Sequence, residues 1–483
     1  MSDSIVALSV TDMAQQLREG RITAVETVEA HIARIEAINP ALNAVVTKTY
    51  DTAREQARQA DEVLKQGKPL GWLHGVPFTL KDCHETAGVL STCGLVSRRD
   101  HVPDKDSFVT AQLKAAGAIL LGKTNLPDNC WSQETNNPVF GRTNNPWDVT
   151  RTVGGSSGGS AAIVAAEGAA FDVGSDIAGS IRMPAAFTGI VGLRPTSGTI
   201  SEVGNWPYPS GRLADLEAVG PMTRRVEDAA LVFDVLRGVE SAPLDTSTLA
   251  EQPIAFWYSD GLVTANTDVK RGVDAATQAL AAVGMKPFAK QPASLRAVMI
   301  GWTAYLQNAD LRALSAGFGN GEAWTPAGEI MRTLRGQGRV SPEALAYWFG
   351  SNYMPVLWRW LVDGARWRNN LRSQLKALIG DGVAVCPIFP TEAPAHGWNL
   401  HFPPMVNLGF QMWVNLAGLP GLTVPTGYTT ENLPIGVQIV GNAGSERTIL
   451  TAGLAIQQAL MPRWKAPPMI ERLSENISNR ESL

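Results

Sequence analysis

Residues 154–196 read GGSSGGSAAIVAAEGAAFDVGSDIAGSIRMPAAFTGIVGLRPT, and each part of that stretch has a physical use. A Gly/Ser-rich turn leads into a small-residue helix, Ser160 to Ala166, able to pack close to a sheet. A buried strand, Ala170 to Val173, runs into a second turn, Gly174 to Gly179. Ser180 follows, and a short helix with Pro184 near its start lies just beyond. Successive backbone N–H groups in such a turn, beside a helix N-terminus, make a concavity for negative charge. A serine placed there carries an oxyanion hole in its own loop.

The same texture continues outward. Val76–Leu80, Ala118–Leu121, Ala170–Val173 and Ile190–Leu193 are short apolar runs separated by helical segments. That alternation predicts an α/β domain with helices on both faces of a central mixed sheet. Residues 1–70 read as N-terminal helices: Thr23 and Glu26 form a capping box, Val28, Ile32 and Ile35 share one face, and Pro40 closes the helix. Tyr50 to Gln66 is a second helix, with Gly67 after its end. A tryptophan-rich stretch, 295–375, is helical again, and Val383–Ile388, Leu422–Val424 and Ile435–Val440 return to strand character. With no internal repeat and no low-complexity linker, residues 1–483 are expected to form a single domain around a core at 76–200.

Composition narrows the chemistry. The 483 residues carry 41 Lys plus Arg and 45 Asp plus Glu, a net charge of −4, which excludes a basic nucleic-acid footprint. Four cysteines, at 83, 93, 130 and 386, are too few for a disulfide framework and lack zinc-ligand spacing. Six histidines, at 31, 74, 84, 101, 396 and 401, show no metalloprotease pattern. No metal and no cofactor is expected. The start of the chain has no basic n-region, and no window holds the run of apolar residues that a membrane helix needs. The expectation is a cytoplasmic protein without a membrane partner.

Two short motifs compete with the long one. Gly117 to Thr124 fits the phosphate-loop pattern letter for letter, but Ala118–Leu121 is an apolar strand where a flexible loop is required. Ser156 and Ser157 each centre a G-x-S-x-G elbow, yet the preceding segment, Asn144 to Val153, is polar and turn-forming. The histidines such an elbow would use, His396 and His401, sit in a proline-rich loop setting.

Taken whole, residues 154–196 resemble the signature of the amidase signature hydrolases, a family with a Ser-Ser-Lys triad. The resemblance implies Ser180 as nucleophile and Ser156, 24 positions earlier and on a cis peptide bond, as bridging serine. It implies Lys81, in Gly75-Val-Pro-Phe-Thr-Leu-Lys81-Asp82, as base, and the amides of Ile177, Ala178, Gly179 and Ser180 as oxyanion hole. Residues 116–125, 415–425 and 434–441 resemble further family segments. Two departures stand out: Val153 where a proline is common, and Ile177-Ala178 where Thr-Gly is frequent. Neither removes a catalytic atom.

Three residues are expected to support the triad. Asp176 and Arg182 flank the nucleophile as a structural ion pair, and Ser157 is a hydrogen-bonding loop residue. Lys123 packs or bonds to loop carbonyls, and Cys83 is buried and inert. Trp302, Trp324, Trp348, Trp358, Trp360 and Trp367, with Tyr305, Tyr353 and Met354, fill the 295–375 insert. Most are core residues, and a few line an apolar or aryl pocket. The expected substrates are bulky, uncharged small molecules: aryl or alkyl amides, with esters and carbamates (urethanes) open to the same acyl chemistry. A homodimer is left open. Two alternatives remain, the glutaminase component of a tRNA-dependent amidotransferase and a catalytically silent binding protein on the same fold.

Overall fold

Short aliphatic runs without polar alternation bury both faces of their strands, so helices must cover the sheet above and below. The computed structural model describes residues 2–68, 70–208, 211–306, 317–318, 324–353, 361–400 and 406–470. Within them lie β1 (Val45–Lys48), β2 (Pro77–Lys81), β3 (Ile119–Thr124), β4 (Phe171–Ser175), β5 (Val191–Arg194) and β6 (Val219–Thr223). They are followed by β7 (Pro253–Phe256), β8 (Lys286–Ala289), β9 (Val383–Pro387), β10 (Gly421–Tyr428) and β11 (Pro434–Val440).

All eleven strands join one sheet in the order β1-β3-β2-β4-β6-β5-β10-β11-β9-β7-β8. The β3-β2-β4 and β9-β7-β8 segments are parallel, and the remaining neighbours are antiparallel. Every residue of β2 to β6, β9 and β11 is buried. The chain is a single α/β domain built on a mixed sheet covered by helices.

Local chemistry explains the boundaries. The helix Ala24–Leu42 opens on the capping box, with the Glu26 amide donating to Thr23 Oγ1 at 3.0 Å and the Thr23 amide to Glu26 Oε2 at 2.8 Å. Pro40 does not close it. Only Ala41 and Leu42 remain beyond that residue, and the helix ends where Asn43 takes a left-handed conformation (φ 52°). The Asn39 side chain gathers the Ala44 and Val45 backbone there.

The small-residue helix starts two residues earlier than its composition suggests, at Gly158–Ala165. Gly158 and Gly159 fit because nothing projects from them. A Cβ on Gly159 would overlap the Asn125 amide and carbonyl at the end of β3. Gly159→Ala is therefore expected to cost about 3 kcal/mol or more, since backbone must give way rather than a flexible side chain. Urea unfolding of the variant beside wild type measures this.

The described part of the tryptophan-rich stretch is helical, at Val298–Tyr305, Pro326–Leu334, Pro342–Tyr353 and Gly364–Ile379. Trp302 and Tyr305 are buried in a cluster with Trp257, Leu371 and Trp413. Trp324 stacks on Phe318 and meets Trp348 edge-on. Trp367 lies against Gly301. Trp358, Trp360, Met354, His401 and the side chain of Tyr353 lie outside the described residues.

Candidate active site

The parallel register of β2 and β4 pairs Leu80 with Val173, which carries Lys81 alongside the end of β4. Lys81 is fully buried there, and its Nζ donates to Ser156 Oγ at 2.7 Å and to Ser175 Oγ at 2.9 Å. Asp82 fixes the loop beyond Lys81 by accepting from the Thr92 amide, the Thr92 hydroxyl and the Cys93 amide. Ser156 follows a cis peptide bond at Gly155. The Ser157 amide donates to the Ser180 carbonyl at 3.1 Å, and its Oγ donates to the Ser175 carbonyl at 3.3 Å. The Gly/Ser turn is thereby tied to both Ser180 and the strand beside Lys81.

Asp176 organises the turn that presents Ser180. Its carboxylate accepts from the Gly179 amide at 2.7 Å, the Ile181 amide at 3.2 Å and Arg182 Nε at 3.0 Å. Arg182 in turn reaches Gln438, Asn415 and the Gln411 carbonyl, and Asn415 Nδ2 donates back to Asp176. All these partners are buried. Burial pushes the Asp176 carboxyl up, but the Arg182 and Arg194 charges and the hydrogen bonds outweigh it, and the group sits below the usual carboxylate range. The Gly179 amide is engaged by this carboxylate, so it is committed to the turn rather than to the cavity. Gly179 itself has φ +104°, and a Cβ there would collide with the Gln411 side chain.

Burial disfavours the Lys81 ammonium, whereas negative charge on Cys130, Cys83, Cys93 or Glu217 would favour it and carry its pKa upward. Burial also raises all three thiols, which are neutral near pH 7 and exert no such pull. With the thiols neutral, burial and the Glu217 charge are left opposing each other at Lys81, and burial is what favours the neutral amine a base requires. Burial pushes Glu217 up to about 7.

Two adjoining cavities meet at this point. The larger has Ser180, Ala178, Trp131, Trp302, Leu408 and Met412 in its wall. The smaller is lined by Ser156, Ser175, Glu217, Asn129 and Pro207. Cys130, Trp131 and Ile177 belong to both. A third cavity, about 1120 Å³ and lined by residues such as Asp12, Arg224, Asp228 and Trp464, shares no residue with either.

The competing motifs go elsewhere. The phosphate-loop pattern is strand β3, and Lys123 Nζ bonds the His84 carbonyl, with Thr86 and Ser91 near it. His396 bonds the Val149 carbonyl and lines neither cavity. Among the described residues no group of His, Cys, Asp or Glu could hold a metal ion, and no helix is long and apolar enough to cross a membrane. Sequence reasoning missed Ser175, Glu217, Asn415 and Gln438, which the sheet brings together from four separate segments. Asn415 and Gln438 lie in two stretches whose resemblance had already marked them.

Comparison with known proteins places the chain. The profile described as Amidase matches residues 26–450, so the chain belongs to the amidase signature family. That makes it a hydrolase or amidotransferase acting on carbon–nitrogen bonds. It is 33% identical to the A chain of the glutamyl-tRNA(Gln) amidotransferase of Carboxydothermus hydrogenoformans, over 93% of this chain and 97% of that one. The corresponding amidotransferase chain of Streptomyces coelicolor is 31% identical, over 98% and 99%. Among solved structures, 6-aminohexanoate cyclic dimer hydrolase superposes with a TM-score of 0.81 at 25% identity, covering 96% of this chain and 99% of that one. A bacterial aryl acylamidase superposes at 0.76 and 25% identity, covering 94% and 96%.

Proposed function

We propose that the chain hydrolyses carboxamides through an acyl-enzyme on Ser180, with Ser156 and Lys81 as proton relay. The observation that carries this is the buried 2.7 Å bond from Lys81 to Ser156, beside the cavity that holds Ser180. Ser180 Oγ attacks the carbonyl carbon while its proton passes to Ser156 and the Ser156 proton to Lys81. The amides of Ile177, Ala178 and Ser180 hold the oxyanion, and Gly179 serves the turn through Asp176. As the intermediate collapses, the proton returns through Ser156 to the nitrogen and the amine departs. Water then attacks the acyl group with the same residues in reversed roles. Lys81→Arg puts a permanently protonated guanidinium where a proton acceptor is needed, and it is expected to lower kcat by about 10³-fold. Single-turnover kinetics with an amide substrate measures this.

The larger cavity supports bulky, uncharged acyl groups: aryl or alkyl amides, with esters and carbamates cleaved by the same chemistry. Among the described residues lining the two cavities there is no lysine or arginine, and the one carboxylate is Glu217. The second reading is the glutaminase component of an amidotransferase, working with partner chains. The curated relatives carry that enzyme's name, and on the relatives alone it stands ahead of the apolar-amide reading. Against it, the α-carboxylate of glutamine finds no cationic partner in the lining. A silent binding role is disfavoured because Lys81, Ser156 and Ser180 are all present, with Lys81 bonded to Ser156 and Ser180 in the adjoining cavity. A competitive panel of glutamine, anilides, p-nitrophenyl esters and aryl carbamates separates the readings. Preference for anilides, esters or carbamates supports the first, preference for glutamine the second, and turnover of none the third.

A further inference from the structure

Ser180 lines only the larger cavity and Ser156 only the smaller, and that division gives the substrate a direction. The acyl carbon must bond to Ser180, so the acyl group lies in the lobe walled by Trp302, Leu408 and Met412. The departing nitrogen must face the hydroxyl that protonates it, which is Ser156. The substituent on that nitrogen therefore points into the smaller lobe, where Glu217 is the one charged side chain among the described lining residues.

We propose that the smaller lobe is the leaving-amine subsite, and that Glu217 selects amines carrying a second N–H donor or an ammonium group. This rests on the acyl-enzyme reading given above and extends it from reaction type to leaving group. Glu217 is only 6% exposed. Asn205 Nδ2 donates to its Oε1 at 2.7 Å, whereas Oε2 has no protein donor among the described residues. The Glu217 carboxylate thus lines the lobe that holds Ser156 with one oxygen free of a protein donor among the described residues, and a substrate N–H can satisfy it.

The test uses two anilides of one acid, differing in a para substituent of similar size: amino, a donor, or methyl, an apolar control. Wild type is expected to favour the amino anilide by about tenfold in kcat/KM. In Glu217→Gln that ratio falls toward one, and in Glu217→Asp part of it returns. Because each result is a ratio within one protein, partial loss of folded enzyme does not move it. Moving the same pair of substituents to the acyl side should leave wild type and Glu217→Gln with equal ratios. A preference that survives in Glu217→Gln, or one that follows the acyl side, overturns the assignment. Cleavage of glutamine with no turnover of any anilide in wild type overturns the acyl-enzyme substrate reading itself, and the subsite with it.

Discussion

Ser180→Ala is expected to lower kcat by about 10⁴-fold or more, while the variant folds and binds substrate as wild type does. The loss is large because the hydroxyl is the atom that forms the covalent bond; Ser132, which also lines the larger cavity, accepts from the Glu134 amide and Asn399 Nδ2. Cys130 lines the same cavity, but burial raises its thiol well above the ordinary range and leaves it a poor nucleophile. Ser157 is tied to the Ser180 and Ser175 carbonyls. Removing an oxygen from a small residue at the edge of a cavity costs little stability, so the melting temperature should stay near wild type. A residual rate within about tenfold of wild type would mean that Ser180 is not the nucleophile.

The second large effect is on stability. Asp176→Ala leaves Arg182 buried without its carboxylate and frees the Gly179 and Ile181 amides inside the fold. Breaking a buried ion pair by removing one partner costs about 3–5 kcal/mol, and the turn that presents Ser180 loses its organiser. The same group gives a pH dependence with a definite sign. The folded carboxyl is held below its ordinary value, so its contribution is fully present above about pH 4 and is lost as pH falls further. Denaturant unfolding at pH 7 and again near pH 3 should show wild type losing stability that Asp176→Asn has already lost. Equal acid sensitivity in the two proteins would remove Asp176 from this role.

The catalytic segment was legible because its residues are contiguous. Residues 154–196 hold the turn, the strand, the nucleophile and the helix that caps it, and their small side chains announce close packing. Lys81 was reachable through resemblance, since the end of an apolar strand is otherwise an ordinary place for a lysine. What stayed hidden depends on register. Ser175 matters because β4 runs two residues past the apolar run, to where Lys81 ends β2. Glu217 sits just before β6, and that strand pairs antiparallel with β4, which brings Glu217 back to the site. Pro40 reads as a stop, but the Asn39 side chain and the left-handed Asn43 end the helix slightly later. Gly179 reads as one more oxyanion amide, and only the structure shows it donating to Asp176.

The central claim is a covalent intermediate on one serine. Wild type mixed with a p-nitrophenyl ester and quenched within the first turnover should gain the acyl mass, and digestion should place it on Ser180. Ser180→Ala should gain none. Acylation of Ser156, Ser157 or Cys130, or turnover with no acylated protein at all, would contradict the account.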